Sequence, residues 1–153
     1  MDVIEHVEDA AALLSPLRAL RGFHAETLLV VTVPAYQSLF CSHDEWLGHY
    51  RRYTAKMLHR CLGKAGFSPV LSGYFFFVLL VARALQKGKE FFVRPKPDNI
   101  VGIGGWRGGK FLSALVKNVL LADYKVSKAL RCAGVKLPGL SCYCVAKQSD
   151  SKK

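Results

Sequence analysis

Acidic side chains are scarce beyond residue 48. Residues 49–153 hold four of them against twenty basic ones, whereas residues 1–48 hold seven against two. The first segment is therefore −5 and the rest +16, within a total of +11. Such a balance favours an anionic partner: acidic lipid head groups, a phosphorylated substrate or nucleic acid. The basic residues are scattered rather than run together, so a solvated cationic surface is an equal reading. No nucleic-acid motif is present, which leaves nucleic acid the weakest of these partners. Asp2 and Glu5 follow Met1 closely, where a secretory leader would be basic and then apolar, so no signal peptide is expected. The five cysteines are odd in number and lack the paired spacing of a structural zinc site. A reducing cytoplasmic compartment is expected, and no metal site. Cys142 and Cys144 stand two apart, on one face of an expected strand, and read as small buried apolar side chains.

Two nucleotide signatures are also missing. Gly102-Ile103-Gly104-Gly105-Trp106-Arg107 has arginine where a dinucleotide fingerprint needs its last glycine. Gly104 through Gly109-Lys110 approaches a phosphate loop, but Phe111 stands where serine or threonine would hold magnesium. Phe67 to Ala82 are sixteen uncharged residues, fewer than the ~20 a spanning helix needs, and they include Ser68, Pro69, Ser72 and Gly73. Docking of Tyr74 to Leu80 on a membrane surface, with the protein peripheral to it, is the corresponding expectation.

A hydrophobic content of 51% supports a folded core. The pattern predicts a helix from an Asp9 cap through Leu20, closed by Gly22. Thr27 to Val33 (TLLVVTV) reads as a strand buried on both faces in a parallel sheet. Ala35 to Tyr53 reads as a polar and aromatic loop. Thr54 caps a helix up to Ala65, and Gly66 stops it. Ser68 to Phe77 reads as a strand, Val78 to Gln86 as a short helix, Phe111 to Cys132 as a long helix and Gly139 to Ala146 as a last strand. No internal repeat is visible. One α/β domain is expected over 1–147, with an irregular Gly/Pro-rich loop about 87–110 and a disordered tail over 148–153.

Three stretches carry a resemblance. They are Asp2-Val3-Ile4-Glu5-His6-Val7-Glu8-Asp9; Leu28 to Tyr36 (LLVVTVPAY); and Ser42-His43-Asp44-Glu45 with Gly48-His49-Tyr50-Arg51-Arg52-Tyr53-Thr54 and Ala65-Gly66-Phe67. In this order they resemble the C-terminal half of class I S-adenosylmethionine-dependent methyltransferases of type 11/12-like sequence. The first is similar to the end of that family's fourth strand, the second to its fifth strand and exit, the third to one subgroup. The likeness covers residues 2 to about 80 and is weaker beyond, where Leu137-Pro138-Gly139-Leu140-Ser141 also fits.

The resemblance implies the C-terminal part of a Rossmann-like sheet, three to four strands with flanking helices. It implies S-adenosylmethionine as cofactor and methyl transfer as chemistry. Ligands of open α/β sheets sit beyond the carboxyl ends of the strands, where the loops Asp2 to Asp9 and Ala35 to Tyr53 are expected. Methyl transfer needs an aligned, desolvated nucleophile and sometimes a base. By position, Asp2 and Val3 would line the cofactor, and His6 and His49 would stand at the reacting centre as catalytic residues. His43, Asp44, Arg52 and Tyr53 would face the substrate. Equally, Arg51 and Arg52 would latch onto Asp44 and Glu45, Asp9 would serve only as a cap, and Glu5 would be solvated.

The family's glycine-rich cofactor turn and the acidic residue of its second strand would precede residue 1. The expectation is a truncated protein, incomplete or inactive alone, with its first half absent. The neighbour of the TLLVVTV strand would survive only as Met1 to Ile4. A missing half on another chain, or self-association, would then cover the strand edge. The methyl acceptor is not identified, although the basic loops lean toward an acidic one. The rival expectation is a non-catalytic basic protein that binds anionic partners or a membrane surface.

Overall fold

The computed structural model describes residues 3–92 and 109–149. They form a mixed α/β fold in which helices pack on a small antiparallel sheet. Asp9 opens the first helix, α1 (Ala10–Leu14), its carboxylate accepting from the amides of Ala11 and Ala12 at 3.0 Å. The α-helix stops there instead of reaching Leu20. Pro16 brings no amide hydrogen, and the chain continues as a 3₁₀ turn over Ser15–Ala19. Strand β1 (Leu29–Pro34) follows. The stretch expected to be plain loop contains a 3₁₀ turn, Gln37–Leu39, and a five-residue helix, α2 (Ser42–Trp46). Helix α3 (Ala55–Lys64) is capped by the Thr54 hydroxyl, and Gly66 leaves it at φ 82°. Strand β2 (Phe67–Phe75), helices α4 (Phe77–Phe92) and α5 (Lys110–Cys132), and strand β3 (Ser141–Gln148) complete the order.

The sheet order is β1-β3-β2, and β3 runs antiparallel to both neighbours. β1 and β2 therefore point the same way without touching. This corrects the expectation of a strand buried on both faces in a parallel sheet. β1 alternates: Leu29, Val31 and Val33 are buried, whereas Val30 is half exposed. On β3 the inward set is Cys142, Cys144 and Ala146, each fully buried and facing Val33, Val31 and Leu29 across the sheet. These small side chains let α3 lie close, with Leu58 and Leu62 fully buried in the same cluster as Ile4, Leu14 and Phe67. Burial pushes the Cys142 and Cys144 thiols up to about 12 and about 11, so both stay protonated and act as apolar filler.

Two expectations at the ends change. Ile4 sits in a 3₁₀ turn (Ile4–His6), not in a strand stub, and Met1 and Asp2 lie outside the described residues. Of the tail expected over 148–153, Gln148 and Ser149 are ordered, and 150–153 lie outside the described residues. Gln148 belongs to β3, the Ser149 amide donates to the Gly66 carbonyl at 2.9 Å, and Lys147 pairs with Glu26 at 2.8 Å. α4 runs six residues past the expected short helix, to Phe92. The rest of the expected Gly/Pro-rich loop, 93–108, lies outside the described residues. Among the described residues, no helix is long and apolar enough to cross a membrane.

Candidate functional site

β1 and β2 hand the chain on at the same end of the sheet, and both do so through strained backbone. Tyr36, just past β1, has φ 61°, and Phe76, just past β2, has φ 68°. A bulky residue in this region costs on the order of 1–3 kcal/mol, which the surroundings must offset. At Tyr36 the surroundings are visible: its ring stacks on Tyr74 at 5.2 Å and its amide donates to the Tyr53 carbonyl at 2.9 Å. At Phe76 the carbonyl accepts from the Leu140 amide at 3.1 Å. Gly139 lies so close to the Phe75 backbone that a Cβ would overlap it, which accounts for glycine there.

The loop leaving β1 is built around Asp44, which is fully buried. Its Oδ2 accepts from the Cys41 amide at 3.1 Å, closing the first turn of α2. Its Oδ1 accepts from Arg52 Nε at 2.9 Å and from His49 Nδ1 at 3.0 Å. Burial alone would raise the Asp44 carboxyl, but the hydrogen bonds from Arg52 and His49 and the guanidinium charge outweigh it. They hold the group below the ordinary carboxylate value. An ionised carboxylate only accepts, so His49 Nδ1 carries hydrogen, and in the neutral ring Nε2 is left as a base or ligand. Arg52 also donates from its guanidinium to the Ala35 carbonyl at 3.2 Å, and its amide donates to Gln37 Oε1 at 2.8 Å.

This loop is tied to the segment before α1. The Tyr50 amide donates to the Glu5 carbonyl at 2.7 Å, the Arg51 guanidinium to the Glu8 carbonyl at 2.8 Å and the Tyr53 hydroxyl to the Ile4 carbonyl at 3.1 Å. Burial pushes the Tyr53 phenol up to about 12, which keeps that donor protonated. The result places His6 against His49, ring centroids 4.7 Å apart and edge to face, with the Glu5 carboxylate beside them.

Of the residues singled out by sequence, His6, His49, Asp44, Arg52 and Tyr53 come together. Asp44, Arg52 and Tyr53 are each at least 97% buried and engaged with protein groups, so they hold the loop. The latch joins Arg52 to Asp44; Arg51 turns to Glu8 instead, and Glu45 is exposed. His43 stacks on Trp46 at 6.0 Å, and burial followed by the nearby Arg83 charge lowers its imidazole's basicity. Val3 is exposed next to this cluster, and Asp2 lies outside the described residues. Glu5 is a correction: it is only 3% exposed, not solvated. Sequence reasoning also missed Gln37, Cys41 and Arg83, whose Nη1 reaches Cys41 Sγ at 3.3 Å from forty-two positions away. Nothing local in the sequence signals such a pairing.

A cleft of about 1010 Å³ opens beside this edge, between the end of β2 and α5. Phe75, Phe76, Leu120 and Tyr124 give it apolar walls, and Lys128 and Arg131 give it charge. Tyr74 lines the cleft and also stacks on Tyr36, so the cleft and the β1 loop share an aromatic wall. Compared with known proteins, the chain matches no family model and no curated sequence.

Proposed function

We propose that this chain carries the acceptor side of an S-adenosylmethionine-dependent methyl-transfer site, with His6 and His49 at the reacting centre. One observation carries the reading: two segments forty-three residues apart, the ones the resemblance selects, converge with their histidines 4.7 Å apart. The loop leaving β1 carries His49, and the turn before α1 carries His6 to meet it. His49, fixed through Nδ1 on Asp44, offers Nε2 as a base for the proton of an acceptor hydroxyl, amine or thiol. The cleft beyond the shared Tyr36–Tyr74 wall suits an acceptor with an apolar body and an anionic group, met by Lys128 and Arg131.

The fit to the cofactor is one-sided. Val3 and the backbone of the 3₁₀ turn can line its methionine end. No glycine-rich turn follows β1 or β2 to hold its nucleotide end. The cofactor supplies an electrophilic methyl group; the residues here orient the acceptor, exclude water and accept a proton. Calorimetric titration of the purified chain with S-adenosylmethionine is expected to give saturable heat that His6→Ala reduces. No heat at high protein concentration would count against cofactor binding by this chain.

A second reading has its own observation. α5 leaves Phe111, Leu115, Val119 and Tyr124 exposed, Phe111 at 85%, and carries Lys110, Lys117, Lys125 and Lys128 against the single acid Asp123. Apolar and basic side chains on one exposed helix suit an anionic bilayer surface. Co-sedimentation with vesicles rich in phosphatidylserine is expected to fall several-fold for Phe111→Asp and with added salt. Equal binding to neutral vesicles would refute the electrostatic part.

A further inference from the structure

We propose that Glu5, His6 and His49 bind one divalent transition-metal ion of the zinc class at this edge of the sheet. One ligand atom from each residue lies within 4.8 Å of the others, the span of a group that could hold one ion. Two imidazoles and a carboxylate form a zinc donor set that leaves one tetrahedral position open. Imidazole selects zinc, cobalt, nickel or iron over magnesium and calcium, which take oxygen ligands.

The surroundings are arranged as a metal-binding histidine requires. His49 donates through Nδ1 to Asp44 at 3.0 Å, which fixes the ring and leaves Nε2 as the ligand atom. A carboxylate behind a ligating histidine is the usual outer partner of such sites. Asp44 is itself held by Arg52 and the Cys41 amide, so the ring cannot swing freely. The three bonds from Tyr50, Arg51 and Tyr53 pin the His49 loop to the Glu5-His6 turn and fix the span between ligands. Glu5 is buried, whereas His6 is exposed, so the group opens to solvent on the His6 side, where an exchangeable fourth ligand belongs.

This site does not rest on methyl transfer: an ion on His49 Nε2 would occupy the lone pair that the methyl-transfer reading uses as a base, and binding is measured with the metal alone. The chain is freed of metal by chelation, exchanged into clean buffer and titrated with zinc by calorimetry. Saturation at one ion per chain is expected. His6→Ala, at an exposed position, and Glu5→Gln should each weaken binding at least about tenfold, with the far-ultraviolet circular dichroism of His6→Ala unchanged. Cobalt in place of zinc should give visible d–d bands without a thiolate charge-transfer band. Absence of saturable binding would overturn the proposal. So would an undiminished affinity in His6→Ala, or a thiolate band showing that cysteines hold the ion.

Discussion

Asp44→Ala is expected to destabilise the fold by about 3–5 kcal/mol. The change leaves the Arg52 guanidinium, 3% exposed, without its counter-charge, and His49 without its anchor. It also removes the acceptor that closes the first turn of α2. Urea denaturation followed by tryptophan fluorescence measures the loss directly, since Trp46 ends α2. The double variant Asp44→Ala/Arg52→Met should recover much of it, because it removes the stranded charge as well. A single-variant cost below about 1 kcal/mol would show that the pair is solvated in the native state.

The same carboxylate sets a pH dependence. Its native acidity is stronger than in the unfolded chain, so its contribution is complete above the unfolded value. Stability is then lost as pH falls through the native value, where the native carboxylate takes up its proton. In Asp44→Asn this part of the acid-induced loss should disappear, leaving a shallower decline between wild-type transitions measured at neutral and acidic pH.

Leu58→Ala is expected to cost about 2–5 kcal/mol. Leu58 is fully buried on α3 within the cluster that includes Cys142, Cys144 and Ala146 of the central strand. These neighbours are too short to fill the space a leucine leaves, so a cavity persists. Leu85→Ala on α4, where the side chain is 65% exposed, should change stability by less than about 0.5 kcal/mol. If both variants unfold at the same urea concentration as the parent, α3 does not cover the core in solution.

These outcomes turn on features of unequal visibility in the sequence. The caps at Asp9 and Thr54 and the helix stop at Gly66 were legible because each depends on residues within four positions. The apolar run of β1 marked a strand, but not its partner, since pairing to β3 joins residues more than a hundred positions apart. Val30 and Thr32 match an inward side chain in composition, and only the sheet decides that Val30 turns out. Helix α2 is five residues long and too short for periodicity to reveal. The resemblance selected His6, Asp44, His49 and Arg52 together, yet spacing alone did not say that Asp44 would be the hub. Glu5 was misjudged because its segment coils into a 3₁₀ turn that rotates the carboxylate inward.

The position of β3 has a consequence for biosynthesis. It is central in the sheet yet follows both of its partners in the chain. During translation β1 and β2 leave the ribosome before the segment that joins them has been made. Their apolar faces must wait through the synthesis of two helices, several seconds at ~5–20 residues per second. Over that interval the nascent chain is a natural client for a holdase, and a ribosome stalled before residue 141 would display a half-assembled protein rather than a smaller folded one.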